Sequence, residues 1–261
     1  MIDEFPTETP GKCIAIGHGI AGGKTSGLEQ PHPYFRQKDA QLITYAVTSG
    51  TDMVPLVARY SGLQESQVLP LGMPRTDAFI GRHKGDGGTV LAGKRAYLYA
   101  PTYRSAEETP MPEIDWAWLD RNLTDGEILA VKPHTMTGHI LPAGRWNHIV
   151  ELPAYEPSTP YLTDCDVLVT DYSSILFDCY LLGKSGILFE KAIGYTQTRG
   201  MYLDYPAQYS SRYCTDEAVL LSMLRDAGSL TKIEEDCIQL VADACDGHAC
   251  ERVCDLIRSL L

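Results

Sequence analysis

Residues Asp166 to Lys184 read DVLVTDYSSILFDCYLLGK, and the fold is decided there. Val167 to Thr170 is an apolar run of strand length, Asp171 to Ser173 is a tight polar turn, and Ser174 to Leu182 carries apolar residues at helical spacing. Gly183 follows where a left-handed residue ends a helix, and Gly186 to Phe189 is the next strand. Strand, turn, helix and strand in so short a stretch form a βαβ unit, whose two strands run parallel.

The same alternation extends outward. Strands are predicted at Ala96 to Ala100, Ile128 to Val131 and His148 to Leu152, with a helix at Ile114 to Asn122. Nearer the amino terminus, Cys13 to Gly17, Gln41 to Val47 and Gln67 to Leu71 read as strands and Val54 to Tyr60 as a helix. The glycine-rich, charged stretch HKGDGGTVLAGK, His83 to Lys94, is the expected hinge between lobes. Helices at Asp216 to Ala227, behind a Thr215 or Asp216 cap, at Lys232 to Ala244 and at Ala249 to Leu260 close the chain. The expected organisation is a first lobe over residues 1–84, a second over 85–245, and a terminal helix over 246–261.

Composition narrows the function. The chain has 261 residues, 44% hydrophobic and 21% charged, the balance of a globular enzyme rather than a disordered chain. Its 22 Lys and Arg residues are dispersed among 34 acidic ones, for a net charge of −12, so no basic stripe exists to neutralise a nucleic-acid backbone. No stretch reads as a secretory signal or a membrane span, so the expected place is the cytoplasm, where the eight cysteines are thiols. The tail CDGHACERVC sets Cys245, Cys250 and Cys254 around His248, but without a CxxC pair these read as buried core thiols and not as a metal site. No metal and no cofactor is called for; Mg2+ is compatible with this reading but not required by it.

Three strand ends carry the chemistry. Ser173 and Ser174 fall at the start of the helix after Thr170, where free N–H groups and the positive end of the dipole suit a pyrophosphate. Plain capping by Asp171 or Ser173 explains the same residues without a ligand. Thr102 and Arg104 end RAYLYAPTYR, and Lys132 and His134 end EILAVKPHT, so that hydroxyl, guanidinium, ammonium and imidazole converge on one edge of a parallel sheet. Near the amino terminus, KCIAIGHGIAGGKTSG from Lys12 runs a strand into a glycine-dense loop. Gly17, Gly19 and Gly22 have dinucleotide spacing, yet Ser26, Gly27, Pro31 and Pro33 forbid the helix that motif needs. The Walker loop fits poorly as well, since His18 stands where its first glycine belongs and no helix follows Thr25. His18 is either a loop histidine or a base placed to take a proton from a hydroxyl, with Lys24 beside it to hold a phosphate.

In this order the motifs resemble the CDP-glycerol glycerophosphotransferase family of teichoic-acid and capsule-polymer synthesis. The resemblance runs through His18, Gly19 and Lys24, GMPRTD (Gly72 to Asp77), APTYR (Ala100 to Arg104), KPHT (Lys132 to Thr135), DVLVTDYSSILFD (Asp166 to Asp178), RGMYLDY (Arg199 to Tyr205) and DGHACERV from Asp246. It implies a GT-B-like α/β fold of two Rossmann-like lobes with parallel sheets facing a cleft. It also implies that the lobe over 1–84 is the acceptor side, incomplete because the family carries further units upstream, that the lobe over 85–245 binds the nucleotide donor, and that the terminal helix over 246–261 crosses back to the first lobe. His18 and His134 are the implied catalytic residues; Gly19, Lys24, Arg75, Thr102, Arg104, Lys132, Asp171, Ser173, Ser174 and Arg199 are the implied substrate contacts.

The implied reaction moves glycerol phosphate, or a related polyol phosphate, from CDP-glycerol or another CDP-polyol to a hydroxyl of a polymer or lipid-linked acceptor, releasing CMP. Such an acceptor is compatible with peripheral attachment at the inner face of the membrane. The alternatives are a nucleotide-sugar GT-B glycosyltransferase or epimerase, and a non-catalytic CDP-binding fragment.

Overall fold

The structure is a computed structural model that describes residues 11–17, 19–20, 42–103, 112–191, 201 and 203–261. Two compact units emerge: the described residues of Met1–Ile80, Gln197–Leu203 and Asp236–Leu261, and those of Gly81–Thr196 and Asp204–Glu235.

In the first unit β1 (Cys13–Ile16), β2 (Ile43–Val47) and β3 (Val68–Leu69) form a parallel sheet in that order. Helix α1 (Val54–Ser61) takes Pro55 into its first turn and ends at Gly62, whose φ of 71° supplies the left-handed cap. Its Ala58 joins Ile43, Ala46, Leu63 and Val68 in one buried cluster.

The second unit contains β4 (Arg95–Tyr99), α2 (Trp116–Asn122), β5 (Glu127–Val131), β6 (Ile149–Glu151), α3 (Thr159–Asp164), β7 (Val167–Thr170), α4 (Ile175–Leu181), β8 (Ser185–Phe189), β9 (Tyr213–Cys214) and α5 (Glu217–Asp226). All pairings in its sheet are parallel, and the strand order is β6-β5-β4-β7-β8-β9. β7 and β8 are buried at every residue, as strands covered on both faces must be, which is why they read as unbroken apolar runs. Tyr97, Tyr99, Leu129, Val131, Val167 and Val169 share one face with Leu119 of α2 and Leu220 and Leu224 of α5. On the other face α4 comes so close to β8 that a Cβ on Gly186 would stand 2.5 Å from Leu176 Cδ1. Gly183 has a φ of 70°, as its place after the helix requires.

Two elements close the chain: α6 (Lys232–Ala242) and α7 (Ala249–Leu260). The GMPRTD stretch receives α7. Asp77 accepts hydrogen bonds from the Ala249 and Cys250 N–H groups at 3.2 and 2.7 Å, so a carboxylate from a distant turn satisfies donors that the helix start leaves open. Gly72, at φ 80°, lies where a Cβ would meet Ala244 O at 2.2 Å, and Arg252 of α7 donates to Leu71 O and pairs with Asp246. Ala249 and Val253 are the buried residues of α7. Cys250 and Cys254 lie one position further round the helix and are exposed, which corrects the expectation that the tail thiols are all core residues. The other tail thiol, Cys245, is buried, as are Cys165, Cys179, Cys214 and Cys237, while Cys13 is half-buried. All eight are free.

The glycine-rich stretch expected to be a hinge follows the unit boundary and is held by Asp164 at the end of α3. That buried carboxylate accepts from the Gly85, Gly87 and Thr89 N–H groups and the Thr89 hydroxyl, and these bonds keep it ionised below the usual carboxylate range although burial opposes this. Among the described residues no helix is long and apolar enough to cross a membrane.

Candidate active site

From β4 the chain builds the sheet outward in one direction through β5 and β6. It then crosses back to β7 and builds in the other direction. The strand order therefore reverses between β4 and β7, and in open parallel sheets ligands bind outside the carboxyl ends of the strands at such a reversal. Tyr99 is in register with both Val131 and Val169, so β5, β4 and β7 release their loops at the same level.

Those loops are bonded to one another. After β7, Asp171 is buried and its Oδ1 accepts from the Thr102 N–H at 2.8 Å and the Tyr172 N–H at 2.6 Å, joining the loops on both sides of the reversal. The Thr170 hydroxyl donates to Ala100 O at 2.6 Å across the same gap. After β4, the Tyr103 ring lies 5.5 Å from the His134 ring, centroid to centroid, which links the loops of β4 and β5. Thr102, Lys132, His134, Ser173 and Ser174 thus emerge along one edge.

Ser174 is the N-cap residue of α4, but its side chain makes no capping bond. Both serines are half-buried. Asp171 is engaged with two backbone N–H groups in the loops and is not the helix cap. Lys132 is buried, its Nζ donating to Ala154 O at 2.9 Å and Pro133 O at 3.3 Å, and burial lowers its pKa from the usual lysine value. His134 is exposed and its Nδ1 accepts from the Met136 N–H at 3.2 Å, which puts the proton of the neutral ring on Nε2. Glu151 clamps the far end of that loop through the Ile140 and Leu141 N–H groups, each at 2.7 Å, and through His139.

Arg75 lies in the first unit, on the 3-10 turn Pro74–Ala78. Gly19 follows β1 in that unit. His18, Lys24, Arg104 and Arg199 lie outside the described residues. Among the described residues no group of three His, Cys, Asp or Glu side chains is arranged to hold a metal ion.

Sequence reasoning passed over one group at the same edge. Glu190 follows β8, is buried, and accepts from the Tyr172 hydroxyl and, at 3.1 Å, from the Tyr213 hydroxyl. An acid directly after a parallel strand, as Asp171 is after β7, was the available signal.

Two units built on parallel sheets, one with its strand order reversing beneath a row of hydroxyl, ammonium and imidazole groups, define an α/β protein of the GT-B-like class. The chain matches the family CDP-Glycerol:Poly(glycerophosphate) glycerophosphotransferase over residues 3–259, and it belongs to that family. It is 25% identical to the teichoic acid poly(ribitol-phosphate) polymerase of Bacillus spizizenii, over 94% of this chain and 42% of that protein. It is likewise 25% identical to the teichoic acid glycerol-phosphate primase of Bacillus subtilis, over 85% of this chain and 62% of that one. The chain thus spans about half the length of these relatives. The solved structure of the wall teichoic acid polymerase TagF has the same fold, with a TM-score of 0.78 at 21% identity over 97% of this chain and 69% of TagF.

Proposed function

We propose that this chain carries out polyol-phosphate transfer from a CDP-linked donor, CDP-glycerol first among them, to a hydroxyl of a teichoic-acid-like or capsule polymer or a lipid-linked acceptor. The observation that carries the reading is the placement of Thr102 and Ser173–Ser174 on either side of the strand-order reversal between β4 and β7, with His134 on the adjoining strand end. Family membership supports it, as do the names of the relatives.

In this reading the donor pyrophosphate rests against the Ser173 and Ser174 hydroxyls and the N–H groups that open α4. Lys132 adds its remaining N–H, and Arg104, Lys24 and Arg199 add charge. His134 donates from Nε2 to an oxygen of the transferring phosphoryl group. The acceptor oxygen attacks the phosphorus that bears the polyol, the bond from that phosphorus to the CMP oxygen breaks, and the acceptor proton passes to His18. Arg75 and Gly19 belong to the acceptor side, and the reaction takes place in the cytoplasm, at the inner face of the membrane when the acceptor is lipid-linked.

Incubation with CDP-glycerol, CDP-ribitol and a UDP-sugar, with CMP and UDP measured separately, tests the reading. CMP release that depends on a polyol-phosphate acceptor is expected. UDP release would favour a nucleotide-sugar enzyme, and CDP binding without turnover would favour a binding fragment.

A further inference from the structure

We propose that Glu190 is a positioning residue for the donor site, acting through the Tyr172 hydroxyl on the turn that presents Ser173 and Ser174. The proposal rests on the reading of that turn as the place where the donor pyrophosphate binds.

Tyr172 immediately precedes the two serines and is held from several sides. Its N–H is bonded to Asp171, its hydroxyl donates to Glu190 Oε1, and its ring lies 5.1 Å from that of Tyr205. The ring therefore works as a lever. With its far end fixed on β8's terminus, the backbone of residue 172 has one orientation, and Ser173 and Ser174 begin α4 from there. Glu190 is itself fixed, because its N–H donates to Cys214 O at 3.0 Å. Its second oxygen takes the Tyr213 hydroxyl, which burial and the carboxylate push up in pKa, so that it remains a donor.

A carboxylate in such a place costs desolvation energy that an apolar side chain would avoid. A phenylalanine facing a leucine would fill the same space, and replacing buried polar pairs by apolar ones of equal volume is often neutral for stability. The hydrogen bond adds direction. Tyr205 is the last residue of RGMYLDY, and its ring lies against that of Tyr172, the residue before the two serines.

The test separates positioning from mere packing because Glu190 holds two tyrosines, only one of which adjoins the serines. CDP is titrated calorimetrically into the full chain, and thermal melts are recorded for each variant. Tyr172→Phe and Glu190→Leu are each expected to weaken CDP binding about tenfold, the scale of a lost charge-assisted hydrogen bond. Glu190→Gln, which keeps a carbonyl oxygen for Tyr172, should restore most of it. Tyr213→Phe removes the other bond to the same carboxylate and should lower the melting temperature while leaving CDP affinity within about twofold. Unchanged affinity in Tyr172→Phe, or equal losses in Tyr172→Phe and Tyr213→Phe, would overturn the inference alone. A wild-type chain that binds no CDP would overturn the donor-site reading, and the inference with it.

Discussion

At the scale of single residues the two histidines part company. His134 lies at the edge where the donor is proposed to bind, whereas His18 is assigned the acceptor hydroxyl. His18→Ala should therefore abolish transfer with donor affinity nearly intact, while His134→Ala should reduce both, because a group on the phosphoryl oxygen contributes to ground and transition states alike. Ser174→Ala should weaken donor binding by about 1 kcal/mol, or roughly fivefold, for one hydrogen bond. Donor titration into each variant checks all three; equal affinity losses for the two histidines would make His18 a donor ligand. Residue types were legible at this scale, and their partners were not. DYSS announced an anion site or a cap, yet Asp171 proved to be the bond across the strand-order reversal. Lys132 reads as a phosphate ligand and is found on two carbonyls. A side chain's chemistry is written in its type, but its partners come from strands distant in the chain.

At the scale of elements, strong periodicity was readable and short irregular pieces were not. The strands at Val167–Thr170 and Ser185–Phe189 and the helices α4, α5 and α7 appear within a residue or two of expectation, because apolar runs, caps and the glycine at 183 act locally. Helix α3 was missed: six residues opening with Thr159-Pro160 carry too little periodicity. β9 was missed because two residues make a strand only by pairing with β8. The strand order, which locates the site, depends on nonlocal pairing throughout.

At the opposite edge of the sheet, β4 and β5 start with a buried network. Glu127 accepts from Arg225, Tyr97 and Thr124, and chiefly through Arg225 its pKa is lowered from 4.5 to about 2, while Tyr97 is pushed up to about 12, mainly by burial. The folded state thus binds the Glu127 proton less readily than the unfolded chain. Its stabilisation is complete above pH 4.5 and is lost as pH falls from there towards about 2. Glu127→Gln should destabilise the protein by about 2 kcal/mol at neutral pH, a modest value because the guanidinium of Arg225 is partly exposed and screened. The gap between wild type and variant should close as the pH approaches 2, read from denaturant unfolding across the range. A gap that widened on acidification would show that the carboxylate is not the stabilising form.

For the molecule as a whole, the cysteines report on the two units separately. Cys165, Cys179 and Cys214 are buried in the second unit, and burial pushes Cys165 and Cys214 up to about 12 and Cys179 well above its usual value. Cys237 and Cys245 are buried in the first, where Cys245 Sγ accepts from the Met73 N–H and donates to Ser49 O. A thiol reagent attacks the thiolate and needs access, so in native protein Cys254 should react first, the exposed Cys250 more slowly because its bond to the Asp77 carboxylate pushes its thiol up in pKa, and the five buried thiols should be protected. Asp77→Ala removes the carboxylate that caps α7, at a cost of about 1 kcal/mol, within the unit that holds Cys237 and Cys245. If each unit opens around its own core, this variant should speed labelling of Cys237 and Cys245 about fivefold and leave Cys165, Cys179 and Cys214 at the wild-type rate. Alkylation followed by peptide mass spectrometry resolves the individual sites. Equal acceleration at all five would mean that the chain opens as a single cooperative body, and the division into two units would then describe geometry without describing stability.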